Sequence, residues 1–260
     1  MDDGRGQSQS RDRQRALLAL IRDQGELAVA RASDVLQVSV ETVRRDLHVL
    51  EEQGLVQRSY GMAHAVESAG YETDLAQRET QHVPQKLRLA AEAVLHLEEA
   101  ESVFIDEGFT PQLIAEKLPL TRPLTVVTAS LPVAILLAPR RNLSVLVLGG
   151  RVRGNTLASV GHWASQMLSG FALDIAFVGA NGISLAHGLT TPDPVVAEVK
   201  TAVMRVARRK VFVGVHEKFN GVSLCRFAAV EDLDVIITDD KLSAADARQF
   251  TGVGPRLVRV

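Results

Sequence analysis

Val38-Ser39-Val40-Glu41-Thr42-Val43-Arg44-Arg45-Asp46-Leu47-His48-Val49-Leu50 decides how the N-terminal part of the chain is read. Val40, Val43, Leu47 and Leu50 recur at spacings of three and four. At about 100° per residue they form one apolar stripe along a helix. Ser39 stands just ahead of it, where a hydroxyl can accept from an orphan amide of the first turn. Glu41, Thr42, Arg45 and His48 point away from the stripe, and Arg44 lies on its flank. Gly54 is placed to stop the helix, since glycine tolerates the left-handed backbone just past a C-terminus.

Upstream, Ala16, Leu17, Leu20 and Ile21 share one face of a first helix, and residues 28–38 read as a second, short one. Downstream, Leu55-Val56 and His64-Ala65-Val66 flank Ser59-Tyr60-Gly61 as the arms of a β-hairpin. Two helices, a capped third with exposed arginines, and a hairpin wing predict a winged helix-turn-helix. In that geometry the last helix enters the major groove and its early residues reach base edges. Arginine there can bond guanine bidentately, and Thr42 can reach a base or a phosphate. The alternative is a plain three-helix bundle in which Arg44 and Arg45 form a solvated face with Asp46, Glu41 and Glu52.

Composition sets the frame for the rest. The chain has 260 residues, 46% hydrophobic and 23% charged, values ordinary for soluble globular proteins. A mainly disordered, collagen-like or disulfide-scaffold chain is excluded. A formal net charge of −2 gives no global basic field, so contact with nucleic acid must come from a local patch. The single cysteine, Cys225, excludes an internal disulfide and a multi-cysteine zinc site, and suits a reducing compartment. The N-terminus is polar with no signal-peptide stretch, and apolar runs such as residues 131–138 are too short for a bilayer. A cytoplasmic protein without cofactor, metal or membrane partner is expected.

Along the chain, residues 1–10 are polar and read as a disordered tail, residues 11–66 as the DNA-binding module and residues 67–84 as a polar linker. From residue 85 to 260 short β-branched runs alternate with amphipathic segments. The runs are Val103-Phe104-Ile105, Leu124-Thr125-Val126-Val127, Val145-Leu146-Val147-Leu148, Ile175-Ala176-Phe177-Val178, Val211-Phe212-Val213 and Val235-Ile236-Ile237. Helical patterns lie at residues 86–97, 110–118, 131–137, 194–209 and 243–250. Such alternation predicts an α/β domain with a mostly parallel sheet covered on both faces. Several strands run into glycine or small polar residues, at the sheet edge where open parallel sheets place ligands. Ile105 leads to Asp106-Glu107-Gly108-Phe109-Thr110, Val127 to Thr128-Ala129-Ser130, and Leu148 to Gly149-Gly150. Val178 leads to Gly179-Ala180-Asn181-Gly182, and Val213 to Gly214-Val215-His216-Glu217-Lys218. Any one such turn is ordinary in α/β domains; together on one edge they favour a pocket.

The first stretch, extended by Leu50-Glu51-Glu52-Gln53-Gly54-Leu55-Val56-Gln57-Arg58, closely resembles the winged helix-turn-helix of the DeoR family of bacterial transcriptional regulators. The C-terminal half resembles the same family through Asp106-x-Gly108-x-Thr110, Thr125-Val126-Val127-Thr128-x-Ser130, Leu148-Gly149-Gly150, Ala176-Phe177-Val178-Gly179-Ala180-Asn181-Gly182, Glu198-Val199-Lys200, Lys218-Phe219 and Ile236-Ile237-Thr238-Asp239. The resemblance implies an effector domain similar in fold to ribose-5-phosphate isomerase. It also implies a regulator, a repressor of a carbohydrate-utilisation operon, released from its double-stranded DNA operator by a phosphorylated sugar or related metabolite. Ser39, Glu41, Thr42, Arg44, Arg45, His48 and Arg58 would face DNA. Asp106, Gly108, Thr110, Thr128, Ser130, Gly149, Gly150, Gly179 and Gly182 would line the effector pocket, with Lys200 and Lys218 as its basic members. The chain departs from the family pattern at Phe109, Ala129, Val215 and Glu217, exchanges that remove phosphate-friendly groups and add a negative charge. The wing carries Gly61-Met62-Ala63 where two glycines and an alanine are usual.

One small DNA-reading module implies a homodimer or homotetramer on repeated half-sites, assembled through the effector domain. The competing function is a sugar-phosphate isomerase-like enzyme with an appended helical module, whose base would come from Asp106, Glu107, Glu198, His216 or Glu217. Arg208-Arg209-Lys210 reads as a helix C-terminus complementing the dipole.

Overall fold

A computed structural model describes residues 3–52, 55–65, 75–119 and 121–260 of the chain, which divides into two units, Met1–Ser68 and Ala69–Val260. The N-terminal unit runs α1 (Asp3–Gln24), β1 (Glu26–Ala28), α2 (Val29–Leu36), α3 (Val40–Glu52), β2 (Val56–Ser59) and β3 (Met62–Ala65). The strands form one small sheet in the order β1-β3-β2. Leu17 and Ile21 of α1, Ala32 of α2, and Val43, Leu47 and Leu50 of α3 are buried with Leu27, Val56, Ala63 and Ala65 of the sheet. Val40 is 37% exposed, so the buried stripe of α3 starts one turn later than its spacing predicts.

The C-terminal unit begins with α4 (Leu75–Arg78), α5 (Val83–Leu95), β4 (Ser102–Ile105), α6 (Phe109–Glu116), β5 (Leu124–Thr128), α7 (Leu131–Leu137) and β6 (Leu143–Val147). There follow β7 (Arg151–Arg153), β8 (Ala158–Val160), α8 (His162–Leu168), β9 (Leu173–Val178), β10 (Gly182–Ser184), β11 (Gly188–Thr191), α9 (Pro194–Val206) and β12 (Ala207–Val213). After a short 3-10 turn at His216–Lys218 come β13 (Cys225–Ala228), β14 (Val235–Thr238), α10 (Ala244–Thr251) and β15 (Arg256–Arg259).

Seven of these strands form one sheet in the order β15-β14-β12-β9-β4-β5-β6, every neighbouring pair parallel. Side chains alternate along each strand, so each sequence run feeds two cores. Phe104, Ala176, Val178, Phe212 and Ile236 enter one, with residues of α8, α9 and α10. Val103, Ile105, Ile175, Phe177, Val211 and Ile237 enter the other, with residues of α5, α6 and α7. Burial on both faces explains why the strands read as continuous apolar runs. The chain builds outward from β4 through β5 to β6, then returns to lay β9 on the other side of β4. The β4–β9 seam is therefore the topological switch point, where doubly wound sheets open a crevice at their carboxyl ends.

The structure departs from the sequence reading in several places. Residues 1–10 read as a tail, yet α1 begins at Asp3 and Ser10 already bonds the Asp46 carboxylate at 3.4 Å. Buried Asp46 gives this polar stretch an anchor that composition does not reveal. Of the linker, residues 67–74 lie outside the described residues. Its remainder is structured: buried Leu75 opens α4, with its amide donating to the Asn155 carbonyl at 2.8 Å, and Arg78 is buried as well. Arg208, Arg209 and Lys210 lie in β12, not at a helix end. There the Arg209 guanidinium donates to Glu98 Oε2 at 2.7 Å and Arg208 stands 3.8 Å from Asp174 Oδ1. Val206 ends α9 and Ala207 starts β12 with no residue between them, and the Ala207 amide caps the helix by donating to the Val203 carbonyl.

Candidate functional site

In the N-terminal unit the Ser39 hydroxyl accepts from the Thr42 amide at 3.2 Å and lies 2.8 Å from the Thr42 hydroxyl. This cap fixes the start of α3 and spends the Thr42 side chain on the turn. Glu41, Arg44, Arg45 and His48 are exposed. Arg44 stands 3.9 Å from Glu41, and His48 lies 3.5 Å from Glu52. Asp46, in contrast, turns inward. Its carboxylate takes Arg13 Nε at 2.5 Å, Arg13 Nη2 at 3.2 Å and Gln14 Nε2 at 3.0 Å. Asp46 therefore bolts α3 to α1 and takes no part in a solvated face with Arg44 and Arg45.

Arg58 is not a free probe on the wing. Its Nε donates to Glu51 Oε2 at 2.6 Å and its amide to Glu51 Oε1 at 3.0 Å, which braces β2 against α3. The Arg58 guanidinium holds the Glu51 carboxyl below the usual range. The wing turns through Tyr60 (φ 45°) and Gly61 (φ 81°), both left-handed as in a type I′ turn. Met62, in the place of a second glycine, is already in β3 opposite Ser59, so that position needs no glycine.

In the C-terminal unit the switch point is closed by an ion pair. Asp106, at the end of β4, meets Lys200 of α9, with both side chains buried. Asp106 Oδ2 also accepts from the Gly179 amide beyond β9 at 2.8 Å, and Oδ1 from the Glu107 amide at 2.9 Å. Lys200 Nζ donates to the Gly179 carbonyl at 3.2 Å as well. Three residues singled out from sequence, Asp106, Gly179 and Lys200, are thus brought together. Gly108 caps α6 with φ 106°, and no side chain caps that helix. A Cβ on Gly108 would sit 3.6 Å from the Arg78 guanidinium. Thr110 is in the first turn of α6 and half-buried.

Other residues of the expected pocket hold the fold. The Thr128 hydroxyl donates to the Ile105 carbonyl at 2.7 Å and accepts from the Ser130 amide at 3.0 Å. The Ser130 hydroxyl caps α7 by accepting from the Val133 amide at 3.3 Å. At Gly150 a Cβ would fall 2.6 Å from the Val160 carbonyl oxygen, and at Gly182 2.4 Å from the Gly221 carbonyl oxygen. Those two glycines permit close packing of backbone. Gly149 is exposed, its amide directed at Met167 Sδ at 3.1 Å. Lys218 closes the 3-10 turn and is half-buried.

Sequence reading missed three cations near the same edge, Arg78 beside Gly108, Lys86 and Arg153. Lys86 Nζ donates to the Arg78 carbonyl at 2.8 Å and lies over the Phe109 ring, 5.6 Å from its centroid. Arg153 Nε stands 3.1 Å from Asp193 Oδ2, and its Nη1 3.9 Å from Glu107 Oε1. All three are buried, which no local pattern announces. Beyond β12 and β14, His216 Nδ1 lies 2.8 Å from the fully buried Asp239, whose carboxylate also takes the His216 amide at 2.7 Å. Burial pushes the Asp239 carboxyl up, but the His216 amide and ring and the Lys241 amide outweigh it and hold it below the usual range. His82 Nε2 sits 2.9 Å from Glu217 Oε2 and lowers that carboxyl against a weaker push from burial.

Residues 13–69 match the DeoR-like helix-turn-helix domain and residues 81–240 the DeoR C terminal sensor domain. The chain belongs to the DeoR family. It is 35% identical to the HTH-type transcriptional regulator GlpR of Haloferax volcanii over 95% of this chain and 96% of the relative. It is 32% identical to the transcriptional repressor AccR of Agrobacterium fabrum over 88% and 90% of the two chains. With the glycerol-3-phosphate regulon repressor of Escherichia coli the identity is 28% over 87% and 90%. Among solved structures, ribose 5-phosphate isomerase A from Neisseria gonorrhoeae overlays 57% of this chain and 56% of its own at a TM-score of 0.37 and 18% identity, a distant and partial likeness. As a DeoR-family member the chain is a DNA-binding transcriptional regulator with a sensor domain for a small molecule, not an enzyme. The isomerase alternative and the plain-bundle alternative both fall with that membership. No helix among the described residues is long and apolar enough to cross a membrane.

Proposed function

We propose that this DeoR-family regulator is a cytoplasmic repressor of a carbohydrate-utilisation operon, released by a phosphorylated sugar or related metabolite. The observation that carries the reading is the buried Asp106–Lys200 pair at the β4–β9 seam, flanked by Gly108 and the start of α6, which no side chain caps. Helix N-termini offer unsatisfied amides and a positive dipole end to an anion. Arg78, Lys86 and Arg153 lie near that start, and Lys218 ends the turn after β12. Charge-assisted bonds from such groups are roughly twice as strong as neutral ones. Glu107 and Asp193 temper the field and suit sugar hydroxyls. Two relatives, a transcriptional repressor and a glycerol-3-phosphate regulon repressor, support the same direction.

On the DNA side, Arg44 and Arg45 read base edges, and the chain binds as a homodimer or homotetramer at repeated half-sites. Release requires that the ligand favour one arrangement of the subunits over the other. The test is a thermal-shift panel of sugar phosphates and the matching free sugars, followed by gel shifts with operator DNA. A phosphate ester should raise the melting temperature and release DNA, because a ligand of the native state stabilises it by mass action. Lys218→Ala should keep DNA binding and lose the release. A free sugar that outcompetes its phosphate ester refutes the phosphorylated-ligand reading.

A further inference from the structure

Tyr60 stands at the tip of the wing and is fully exposed, at 107% of the reference area. Its φ of 45° puts a bulky aromatic in the left-handed region, where side chains of this size are outliers. The first central position of a type I′ turn favours asparagine, aspartate or glycine. The fold therefore gains nothing from tyrosine here: the ring buries no surface and the backbone would prefer another residue. Strain retained without a packing return is a pointer to function.

The wing is also held stiff behind that tip. The Ser59 hydroxyl lies 2.9 Å from His64 Nε2, and His64 Nδ1 lies 3.3 Å from Glu26, which ties all three strands together. The Glu51–Arg58 brace fixes β2 to α3, the helix that carries Arg44 and Arg45. Glu51 holds Arg58 back, whereas the phenol at the wing tip stands fully in solvent. A phenol hydroxyl donates to phosphate oxygen, and its ring lies flat on a sugar. Half or more of protein–DNA contacts go to that backbone, tyrosine being among the donors.

We infer that Tyr60 is a DNA-contact residue that clamps the wing to the sugar–phosphate backbone irrespective of base sequence. The test uses the full chain with two duplexes, a random-sequence 30-mer and a site selected in vitro. Tyr60→Gly suits a left-handed backbone, and Tyr60→Phe keeps the ring and the backbone demand of the native residue while removing only the hydroxyl, so neither endangers folding. Both variants should bind each duplex about tenfold more weakly, the value of one hydrogen bond to a charged group. The salt dependence should stay unchanged, because no cation is lost. Unchanged affinity overturns the inference. Retained binding in Tyr60→Phe alone shows that the hydroxyl makes no bond and assigns the loss in Tyr60→Gly to the ring or to turn stiffness, and a loss confined to the selected site makes Tyr60 a base reader; either result overturns it too.

Discussion

Removing the ammonium at the β4–β9 seam is the sharpest perturbation the sensor domain offers. Lys200→Met keeps most of the side-chain volume but leaves the Asp106 carboxylate, itself 3% exposed, without its cation. Breaking a buried ion pair from one side costs about 3–5 kcal/mol, because an uncompensated charge stays behind. Asp106 keeps the Gly179 and Glu107 amides at 2.8 and 2.9 Å, so the lower end applies. A loss of about 3 kcal/mol in a domain of this size lowers the melting temperature by about 6–12 °C. Urea unfolding followed by circular dichroism should report the same loss as a lower midpoint with unchanged slope. The double variant Asp106→Asn, Lys200→Met removes the stranded charge, and although the single acceptor oxygen of Asn can keep only one of the two amide bonds, it should recover part of the loss. A single variant that loses under about 1 kcal/mol, or a double variant no better than the single, would falsify the account of the pair as a buried, mutually dependent unit.

Two other outcomes follow from groups described above. Asp46→Ala should destabilise the N-terminal unit by about 2–3 kcal/mol, since it strips Arg13 and Gln14 of their shared buried acceptor; hydrogen exchange of α1 and α3 amides reads this directly, and unaltered protection would contradict the anchoring role. Glu217 has a folded pKa below its ordinary value through the His82 hydrogen bond, so its contribution is present above the unfolded value of about 4.3 and lost as pH falls through the lower folded value. The stability difference between wild type and Glu217→Gln should accordingly be full near pH 6 and shrink as the pH falls below the ordinary carboxyl value of about 4.3; a difference that persists undiminished in strong acid rules the pair out.

Much of the architecture was legible because its signals are local. The α3 stripe, the Ser39 cap and the alternating runs of the parallel sheet are short-range patterns that burial on one or two faces imposes on a sequence. What escaped has a common cause: it depends on partners distant in the chain. Asp46 reads as one more charge on a helix, and only the arrival of Arg13 makes it an inward anchor. Arg78, Lys86 and Arg153 sit in stretches without a motif, and their proximity to the Gly108 turn arises from packing. The small antiparallel strands β7, β8, β10, β11 and β13 hold three or four residues each, too few for a period to register. Thr128 and Ser130 were legible as polar groups at a strand end, yet hydrogen bonding to Ile105 and Val133 spends them on the fold.

The direct passage from α9 into β12 leaves no slack in the chain between Lys200 and the sheet. An added residue at Val206–Ala207 would have no loop to absorb it. It would either turn the helix by about 100° relative to the strand or exchange the inward and outward side chains of Val211, Phe212 and Val213 between the two cores. Length variation, which α/β domains usually accept at their connections, is thus costly at this one.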